Sequence, residues 1–284
     1  MRPRSSKALI GSIGAVARAA ASEAGIAWRK VTVAAVGSPG VFRAAGHPVL
    51  AHNLPGWERE GVLDAIRHEL SVQVEFENDV NLAALGERWR GLGQDVNDFV
   101  YFHVGTGVGM GIVLKGELFR GATGAAGEVG YLPLAAADPR GPTNRRRGAL
   151  ESAIGAQAVI ATAQRMGMRG PLTLSAVLES ARRGERSALR AMQVVAEGIA
   201  LGLAAIVPVI DPELVILGGR TGRNGDLLRD PIEREFRALS PFHPRIEVSA
   251  LGEDAELTGA VALALEMAHQ RLFSRGETRK RIAV

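Results

Sequence analysis

Residues 99–111 read FVYFHVGTGVGMG, a mostly apolar run of six residues followed by alternating glycines. Short runs rich in β-branched and aromatic residues are typical of buried strands, so we predict a strand at residues 99–104. A second run of this kind, LVILGG at residues 214–219, also enters a pair of glycines. This coarse similarity between the two halves of the chain predicts two related lobes that close on a cleft.

Helical and strand patterns alternate on both sides of this stretch. Residues 7–90 predict helix, strand, helix, strand and helix in turn, and a short strand is predicted at residues 112–114. The polar segment 135–147 contains Pro, Gly and three consecutive Arg, so we predict a loop there. One continuous helix is predicted at residues 150–166. The alternation is typical of an α/β fold with mainly parallel strands.

The lobes are assigned to stretches of the chain as follows. The 284 residues are enough for one large domain or two ordinary ones. We place the boundary next to Phe102, which gives a first lobe at residues 1–102 and a second lobe at residues 103–267. The final segment, residues 268–284, is predicted to return to the first lobe.

Composition excludes several classes of protein. Hydrophobic residues make up 46% of the chain and charged residues 23%, which is the balance of a globular protein rather than a disordered one. The sequence contains no Cys, so disulfides and thiolate zinc sites are excluded. No run of about 18 uncharged apolar residues occurs, and the basic N-terminus is not followed by a signal-peptide core. We therefore predict a cytoplasmic protein without membrane contact.

The charge of the chain bears on nucleic-acid binding. A net charge of +4 arises from 34 basic and 30 acidic residues, which is a mild imbalance. The three consecutive Arg at residues 145–147 could form a patch for DNA. A solvated loop explains the same residues better, so we do not expect this chain itself to bind DNA.

The first candidate site follows a predicted strand at residues 77–81, whose sequence is Glu-Asn-Asp-Val-Asn. Ligands of open α/β sheets bind at the C-terminal ends of strands, so Asn78 and Asp79 are candidate binding residues. The alternative is structural, because Asn or Asp at this point can cap the following helix. For an isolated Asn-Asp pair the cap is favoured.

The glycines at residues 105–111 form the second candidate. Alternating glycines let backbone N–H groups approach an anion without interference from Cβ atoms, and Thr106 adds a hydroxyl donor. The segment is not a Walker A loop, because no Gly-Lys-Ser/Thr follows, and it is not a clean dinucleotide fingerprint. A tight connection between two strands explains the same pattern equally well.

The third candidate is Glu128, which stands in a run of small residues between Gly121 and Tyr131. A carboxylate can accept hydrogen bonds from two hydroxyls of a sugar. For an isolated Glu, a solvated side chain is the better explanation. The three candidates occur in order along the chain, and this joint occurrence favours a binding site.

Together these segments resemble the ROK family, named for its repressors, uncharacterised reading frames and sugar kinases. The resemblance extends over residues 31–265, and the order of its motifs makes it specific. The motifs are VGSPG at residues 36–40, NLPGW at 53–57, ENDVN at 77–81, the glycine-rich block up to GEVGY at 127–131, and DPE with VILGG at 211–219.

The resemblance implies an α/β, two-lobed actin-like ATPase (ribonuclease H-like) fold with the ligand in the cleft between the lobes. It also implies roles for individual residues. Asp79 would be the general base that takes a proton from a sugar hydroxyl as that hydroxyl attacks ATP. The other implied contacts are Asn53, Asn78, Glu128 and Glu151 to sugar hydroxyls, Gly105, Thr106 and Gly107 to nucleotide phosphates, and Gly218 and Gly219 near the adenosine.

The sequence departs from the family pattern at the N-terminus. Kinases of the family begin with a strand and an Asp-x-Gly-Gly-Thr loop, which cradles phosphate and helps to position Mg²⁺. No such motif occurs before Val31. We therefore expect the first lobe to be incomplete and phosphoryl transfer to be severely impaired.

A second departure concerns metal binding. Many family members bind structural zinc through one His and three Cys. Tyr131 stands at the position of the His, and residues 139–148 replace the Cys-rich loop, so we expect neither zinc nor another protein-held metal. The same His contacts the sugar in the family, which makes Tyr131 a candidate sugar contact with a single hydrogen bond.

Two functions are compatible with these features. The missing phosphate loop and the altered zinc segment favour the sugar-sensing effector module of a ROK transcriptional regulator, which would contact DNA through an N-terminal domain absent from this chain. Asp79 and the glycine-rich turn favour an ATP-dependent kinase of a hexose or N-acetylhexosamine, which would need ATP and Mg²⁺. By analogy with the family we expect a homodimer or homotetramer. The sequence does not indicate which sugar is bound.

Overall fold

The computed structural model describes residues 6–42, 48–51, 54, 56–135, 138 and 140–281. The strands, in chain order, are β1 (Val33–Ser38), β2 (Val41–Phe42), β3 (Pro48–Val49), β4 (Gln73–Asn78), β5 (Phe99–Val104), β6 (Val108–Leu114), β7 (Glu117–Leu118), β8 (Leu214–Gly218) and β9 (Arg245–Val248). The helices are α1 (Ser6–Glu23), α2 (Val62–Leu70), α3 (Asp79–Arg90), α4 (Pro142–Arg147), α5 (Ala149–Ile154), α6 (Ala156–Arg165), α7 (Leu174–Arg182), α8 (Arg186–Ile210), α9 (Gly219–Gly222), α10 (Gly225–Leu239) and α11 (Ala255–Arg281).

The larger sheet has the strand order β7-β6-β5-β8-β9. Its central strand, β5, pairs antiparallel with β6 and parallel with β8. Val100 and Phe102 of β5 pack in the core formed with α8, whereas Phe99 and Tyr101 pack on the opposite face with residues of α3 and α11. Because both faces are covered, the strand reads as a continuous apolar run rather than an alternating one.

The smaller sheet of the first lobe consists, in the described residues, of the parallel pair β1 and β4. Successive residues of β1 pack on different faces. Ala34 and Val36 pack with α1 and α2, while Val33 and Ala35 pack with α3 and α11. β4 ends at Asn78 and α3 begins at the next residue, which brings polar side chains to the C-terminal edge of this sheet.

Helices α3 and α11 lie between the two sheets and are in backbone contact. A Cβ atom on Gly86 would lie 2.2 Å from the carbonyl oxygen of Ala255, and one on Gly259 would lie 1.7 Å from that of Leu82. Glycine is required at both positions because any side chain would separate the helices. Helix α11 also packs on β1, so the C-terminal helix contacts the sheet of the first lobe.

Two local predictions are wrong. The strand predicted at residues 112–114 already begins at Val108, because the glycine-rich residues are extended and pair with β5. Helix α3 crosses them closely, since a Cβ atom on Gly111 would lie 2.6 Å from a side chain of that helix. The loop predicted at residues 135–147 ends in helix α4, which has Pro142 in its first turn, where a missing N–H is tolerated.

The single helix predicted at residues 150–166 is also wrong, because α5 and α6 are separate helices that meet at Gly155. The N–H of Ala156 donates to the carbonyl oxygen of Gly105, at 2.8 Å, instead of continuing helix α5. The break therefore depends on a contact with a distant turn, which the local sequence does not encode.

The predicted lobe boundaries fall inside continuous elements. Residues 102 and 103 are neighbours in β5, and residues 267 and 268 are neighbours in α11. The division into residues 1–102, 103–267 and 268–284 stays a prediction. Its last three residues, 282–284, lie outside the described residues.

Helix α8 is the one helix in the described parts of the chain that is long and apolar enough to cross a membrane by length and composition. Half of its most apolar window is buried inside the structure. It packs against α5, α6, α7 and α10. These are the properties of a helix in the core of a globular protein.

Candidate functional site

A cavity of about 410 Å³ opens between the two sheets, near the C-terminal ends of β4 and β5. Both lobes contribute to its walls. The described lining residues are Pro39, Gly40, Leu50, Asn78, Asp79, Val80, Asn81, His103, Gly105, Thr106, Gly107, Val108, Gly109, Met110, Gly124, Ala126, Gly127, Glu128, Glu151, Arg220 and Glu256.

Asn78 caps helix α3, as the structural alternative for this segment predicts. Its Oδ1 atom accepts hydrogen bonds from the N–H groups of Val80, at 2.9 Å, and Asn81, at 3.1 Å. Its Nδ2 atom donates to the carbonyl oxygen of Gly40 at 3.0 Å, which ties β4 to the turn after β1. Asn78 also lines the cavity, and its amide retains one N–H for a ligand.

Asp79 is the first residue of α3 and lines the cavity. Its Oδ1 atom accepts a hydrogen bond from the N–H of Val80 at 2.9 Å. Burial raises the pKa of Asp79, and nearby His103 opposes this shift. A raised pKa makes the carboxylate a stronger base than it would be in water, which suits it to accept a proton from a hydroxyl.

Glu77 fixes the corner between β4 and α3. It is buried, and its Oε1 atom accepts hydrogen bonds from Nδ2 of Asn81 and the N–H of Asn78, both at 2.9 Å. Its Oε2 atom pairs with Nε of Arg120 at 2.7 Å. Because the carboxylate is satisfied by protein groups, Glu77 positions Asn78 and Asp79.

Glu128 reaches the cavity because Gly127 brings the backbone onto β6. Gly127 has a φ of +91°, and a Cβ atom on it would lie 1.8 Å from the carbonyl oxygen of Met110. The N–H of Met110 donates to the carbonyl oxygen of Gly127 at 2.8 Å. Burial, with smaller contributions from the negative charges of Asp79 and Glu151, raises the pKa of Glu128 to about 7.

Glu151 enters the cavity wall from α5. Its Oε2 atom accepts a hydrogen bond from the N–H of Val108 at 3.1 Å, and Nε of Arg147 lies 3.9 Å from its Oε1 atom. A Cβ atom on Gly148 would lie 2.1 Å from the carbonyl oxygen of Gly130. This close approach places the start of α5 next to the segment that carries Glu128.

Two of the predicted sugar contacts are not in the described cavity wall. The hydroxyl of Tyr131 donates to the carbonyl oxygen of Arg146 at 3.1 Å, which directs it toward α4. Burial and the nearby carboxylates of Glu128 and Glu151 raise the pKa of Tyr131. A sugar contact by Tyr131 stays a prediction, and Asn53 lies outside the described residues.

All three residues that were predicted to meet nucleotide phosphates line the cavity. Gly105, Thr106 and Gly107 connect β5 to β6, and we name them the first glycine turn. The N–H of Gly105 donates to the carbonyl oxygen of Gly107 at 2.9 Å, which closes the turn. The carbonyl oxygen of Gly105 also accepts a hydrogen bond from the N–H of Ala156 in α6, which fixes the turn relative to the second lobe.

The second glycine turn consists of Gly218, the last residue of β8, and Gly219, the first residue of α9. Neither is among the described lining residues, although Arg220 is. A Cβ atom on Gly218 would lie 2.0 Å from the hydroxyl oxygen of Tyr101. Gly219 has a φ of +78°, and a Cβ atom on it would lie 2.6 Å from the carbonyl oxygen of Val104. Packing therefore accounts for both glycines, and their contact with an adenosine stays a prediction.

Sequence reasoning missed His103 and Glu256, which both line the cavity and both interact electrostatically with Asp79. Burial lowers the pKa of His103, while burial raises the pKa of Glu256 to about 7. The alternation along β5 could have revealed His103, because it shares a face with Phe99 and Tyr101. Nothing in the sequence places Glu256, since α11 reaches the cavity only through tertiary packing on α3.

Carboxylates such as those in the cavity can also bind a metal ion. In the parts of the chain that the structure describes, no group of three or more His, Asp or Glu side chains is arranged to hold a metal ion.

Comparison with known proteins gives a consistent assignment. A family model described as "ROK family" matches residues 3–267. A xylose repressor from Caldicellulosiruptor bescii is 30% identical over 247 residues, which cover 81% of this chain and 61% of the repressor. A glucokinase from Halalkalibacterium halodurans is 31% identical over 247 residues, which cover 79% of this chain and 73% of that enzyme.

The fold agrees with a solved structure from the same family. A ROK family glucokinase from Streptomyces griseus, in complex with glucose and AMPPNP, superimposes with a TM-score of 0.80 and 28% identity over 93% of this chain and 89% of that chain. This match confirms the predicted mixed α/β, two-lobed actin-like ATPase fold. The present chain spans 61% of the length of the xylose repressor that it matches. The chain belongs to the ROK family.

Proposed function

We propose that this chain is the sugar-sensing effector module of a ROK-family transcriptional regulator. The observation that carries the proposal is the convergence of Asn78, Asp79, Glu128 and Glu151 on one cavity between the lobes. We name these four residues the sugar-facing part of the cavity. Amide and carboxylate groups accept and donate the hydrogen bonds that the hydroxyls of a sugar ring require.

The charge of the cavity supports sensing rather than phosphoryl transfer. The carboxylates of Asp79, Glu128, Glu151 and Glu256 line it, and among the described lining residues only Arg220, which is exposed, carries a full positive charge. Phosphoryl transfer depends on positive groups that stabilise the charge developing on the transferred group. Walls with four acidic side chains and a single exposed Arg among the described lining residues favour a ligand rich in hydroxyls over a polyphosphate.

The position of the cavity fits the task of a sensor. Residues from both lobes line it, so a bound sugar would favour the closed arrangement over the open one. We propose that the chain forms a homo-oligomer, and that DNA is recognised by a separate N-terminal domain of the regulator rather than by these residues. The xylose repressor relative supports this assignment.

An ATP-dependent sugar kinase is the second candidate. It is favoured by Asp79, whose buried carboxylate has a raised pKa, and by the first glycine turn in the cavity wall. The glucokinase relatives support it as well. In this case Asp79 would accept the proton of the sugar hydroxyl.

Titration calorimetry with glucose, xylose, N-acetylglucosamine and N-acetylmannosamine tests the proposal. We expect saturable binding of at least one of these sugars. In Asp79→Asn the affinity should fall at least tenfold, because a hydrogen bond to a charged group contributes about 1.5–3 kcal/mol. Glu117→Gln, an exposed carboxylate on β7, is the matched control and should bind like the wild type.

Two outcomes would contradict the proposal. A folded protein that binds none of the four sugars would refute sugar sensing. Steady ATP-dependent turnover of a sugar in a coupled assay, abolished in Asp79→Asn, would replace the sensor with the kinase.

A further inference from the structure

The C-terminal edge of the larger sheet carries one bulky side chain between glycines. On β5, His103 follows Phe99 and Tyr101 on the face toward α3 and α11. Its paired residues on the neighbouring strands are Gly109 of β6 and Gly218 of β8. Of these three paired residues only His103 has a side chain, so its imidazole has no neighbour of similar size across the strands.

The imidazole lies beside both glycine turns. A Cβ atom on Gly105 would lie 2.6 Å from Nε2 of His103, and one on Gly219 would lie 2.9 Å from the same atom. Glycines in such turns usually leave room for phosphate oxygens to approach the backbone. Here the room between the first and the second glycine turn contains the ring of His103.

His103 lines the cavity and packs beside Tyr101. Its Nδ1 atom is buried without a hydrogen-bond partner, and the ring of Tyr101 lies beside it, with 6.4 Å between the ring centroids.

The charge at this point also disfavours a polyphosphate. Burial lowers the pKa of His103, although Asp79 acts in the opposite direction, so at neutral pH the ring carries no full positive charge. Asp79 and Glu256 line the same cavity, and neither can supply positive charge to a phosphate. Both the space and the charge at the glycine turns therefore fail to fit the triphosphate of a nucleotide.

We infer that His103 is a specificity-determining residue that excludes nucleoside triphosphates from the space between the two glycine turns and leaves the sugar-facing part of the cavity open. The assignment rests on the proposed function, because it explains how a cleft related to those of kinases would bind a sugar without a nucleotide. On this proposal, the choice between sugar and nucleotide depends on the side chain of His103 near the end of β5.

The test is a gain of nucleotide binding when the ring is removed. His103→Ala removes the ring, and His103→Thr replaces it with a smaller β-branched residue that suits a strand. Each variant is titrated by calorimetry with AMPPNP and Mg²⁺. We expect no saturable binding of AMPPNP by the wild type at millimolar concentrations. Both variants should bind AMPPNP at least tenfold more tightly than the wild type does.

A matched control and two further measurements accompany this titration. His68→Ala alters an exposed His on α2 and should leave nucleotide binding as in the wild type. Thermal unfolding shows whether each variant is folded. Sugar titration of His68→Ala should give the affinity of the wild type, and sugar titration of the His103 variants measures the effect that is passed through Asp79.

The outcomes separate the two proposals. Micromolar binding of AMPPNP by the wild type, or folded His103 variants that bind it no better than the wild type, would overturn the role of His103. If no sample binds a sugar but both variants gain AMPPNP binding, the proposed function fails and the role of His103 stands.

Discussion

The sugar-facing part of the cavity and the space between the glycine turns both depend on glycine, but for different purposes. Near Glu128, Gly127 brings two backbone segments into contact and so places a carboxylate in the cavity wall. Between the turns, Gly105 and Gly219 leave space that the ring of His103 occupies. A glycine-rich motif thus indicates a phosphate site only when no neighbouring side chain fills the space beside it.

Replacement of Gly127 by Ala should have the largest effect, because no Cβ atom fits there. The added atom would lie 1.8 Å from the carbonyl oxygen of Met110, and the backbone φ is +91°. Backbone overlap and a left-handed conformation together predict a loss on the order of 3–5 kcal/mol in the free energy of unfolding. Scanning calorimetry should show a melting temperature lower by roughly 10 °C, and displacement of Glu128 should abolish sugar binding.

Gly170→Ala is the matched control for this prediction. Gly170 has a φ of +93°, but a Cβ atom there meets no other atom within 4 Å. Only the backbone strain remains, so we expect a loss of about 1 kcal/mol and unchanged sugar binding. Equal melting temperatures of the Gly127 and Gly170 variants would show that the close contact of Gly127 does not stabilise the site.

The main elements of the fold could be predicted because their sequence patterns follow from burial. The strand at residues 99–104 has the predicted bounds, since both of its faces are apolar and covered. Prediction failed where tertiary contacts decide the local structure. Gly109 and Gly111 are extended because β5 pairs with them, and the break at Gly155 depends on a hydrogen bond to the first glycine turn.

The candidate site could be predicted only in part. Asn78, Asp79, Glu128 and Glu151 line one cavity, and the resemblance to the family had implied a role for all four. Glu256 could not be found from its surroundings in the sequence, because it meets Asp79 only through the packing of α11 on α3. A motif identifies residues that lie in a recognisable sequence pattern, whereas a residue such as Glu256, which lies outside the quoted motifs, needs the tertiary structure.

A smaller effect is expected from Ser249→Ala, which acts behind the second glycine turn. Glu87 is fully buried, and its Oε1 atom accepts a hydrogen bond from Oγ of Ser249 at 2.5 Å. Ser249 also interacts with the hydroxyl of Tyr101, whose pKa burial raises to about 12, so that this hydroxyl stays neutral. Loss of one partner of a buried carboxylate should lower the free energy of unfolding by about 1–3 kcal/mol.

In this experiment, sugar affinity distinguishes an effect on the sugar-facing part of the cavity from an effect behind the second glycine turn. Ser249→Ala should lower the melting temperature by roughly 2–4 °C for each kcal/mol of free energy of unfolding that is lost. Sugar binding should stay unchanged, because the hydrogen bonds of Ser249 with Glu87 and Tyr101 lie away from the sugar-facing part. Ser12→Ala, which removes an exposed hydroxyl that donates to the carbonyl oxygen of Ala8 on α1, is the control and should be nearly neutral. A Ser249→Ala variant as stable as the wild type would mean that the bond to Glu87 contributes nothing.

The smallest effects are expected in the pH dependence of stability. They compare Glu128, in the sugar-facing part of the cavity, with Glu256, which lines the cavity outside that part. Burial is the largest cause that raises the pKa of both Glu128 and Glu256 from 4.5 to about 7. A carboxyl group whose pKa is higher in the folded state stabilises the folded protein fully below its unfolded pKa and loses this contribution as the pH rises through its folded pKa. Glu128→Gln and Glu256→Gln lack this titration, so each variant should gain melting temperature relative to the wild type between pH 5 and pH 8.

The sizes of these two gains test how far each carboxylate is shielded from water. Glu128 is half-buried and interacts with Asp79 and Glu151, whereas Glu256 is exposed and interacts with Asp79. Solvent screening should keep the contribution of Glu256 below about 1 kcal/mol, so we expect the larger gain in Glu128→Gln. Salt at about 1 M, where the screening length is about 3 Å, should reduce the gain of Glu256→Gln more strongly. A larger, salt-resistant gain in Glu256→Gln would mean that its carboxylate is shielded from water, contrary to its exposure.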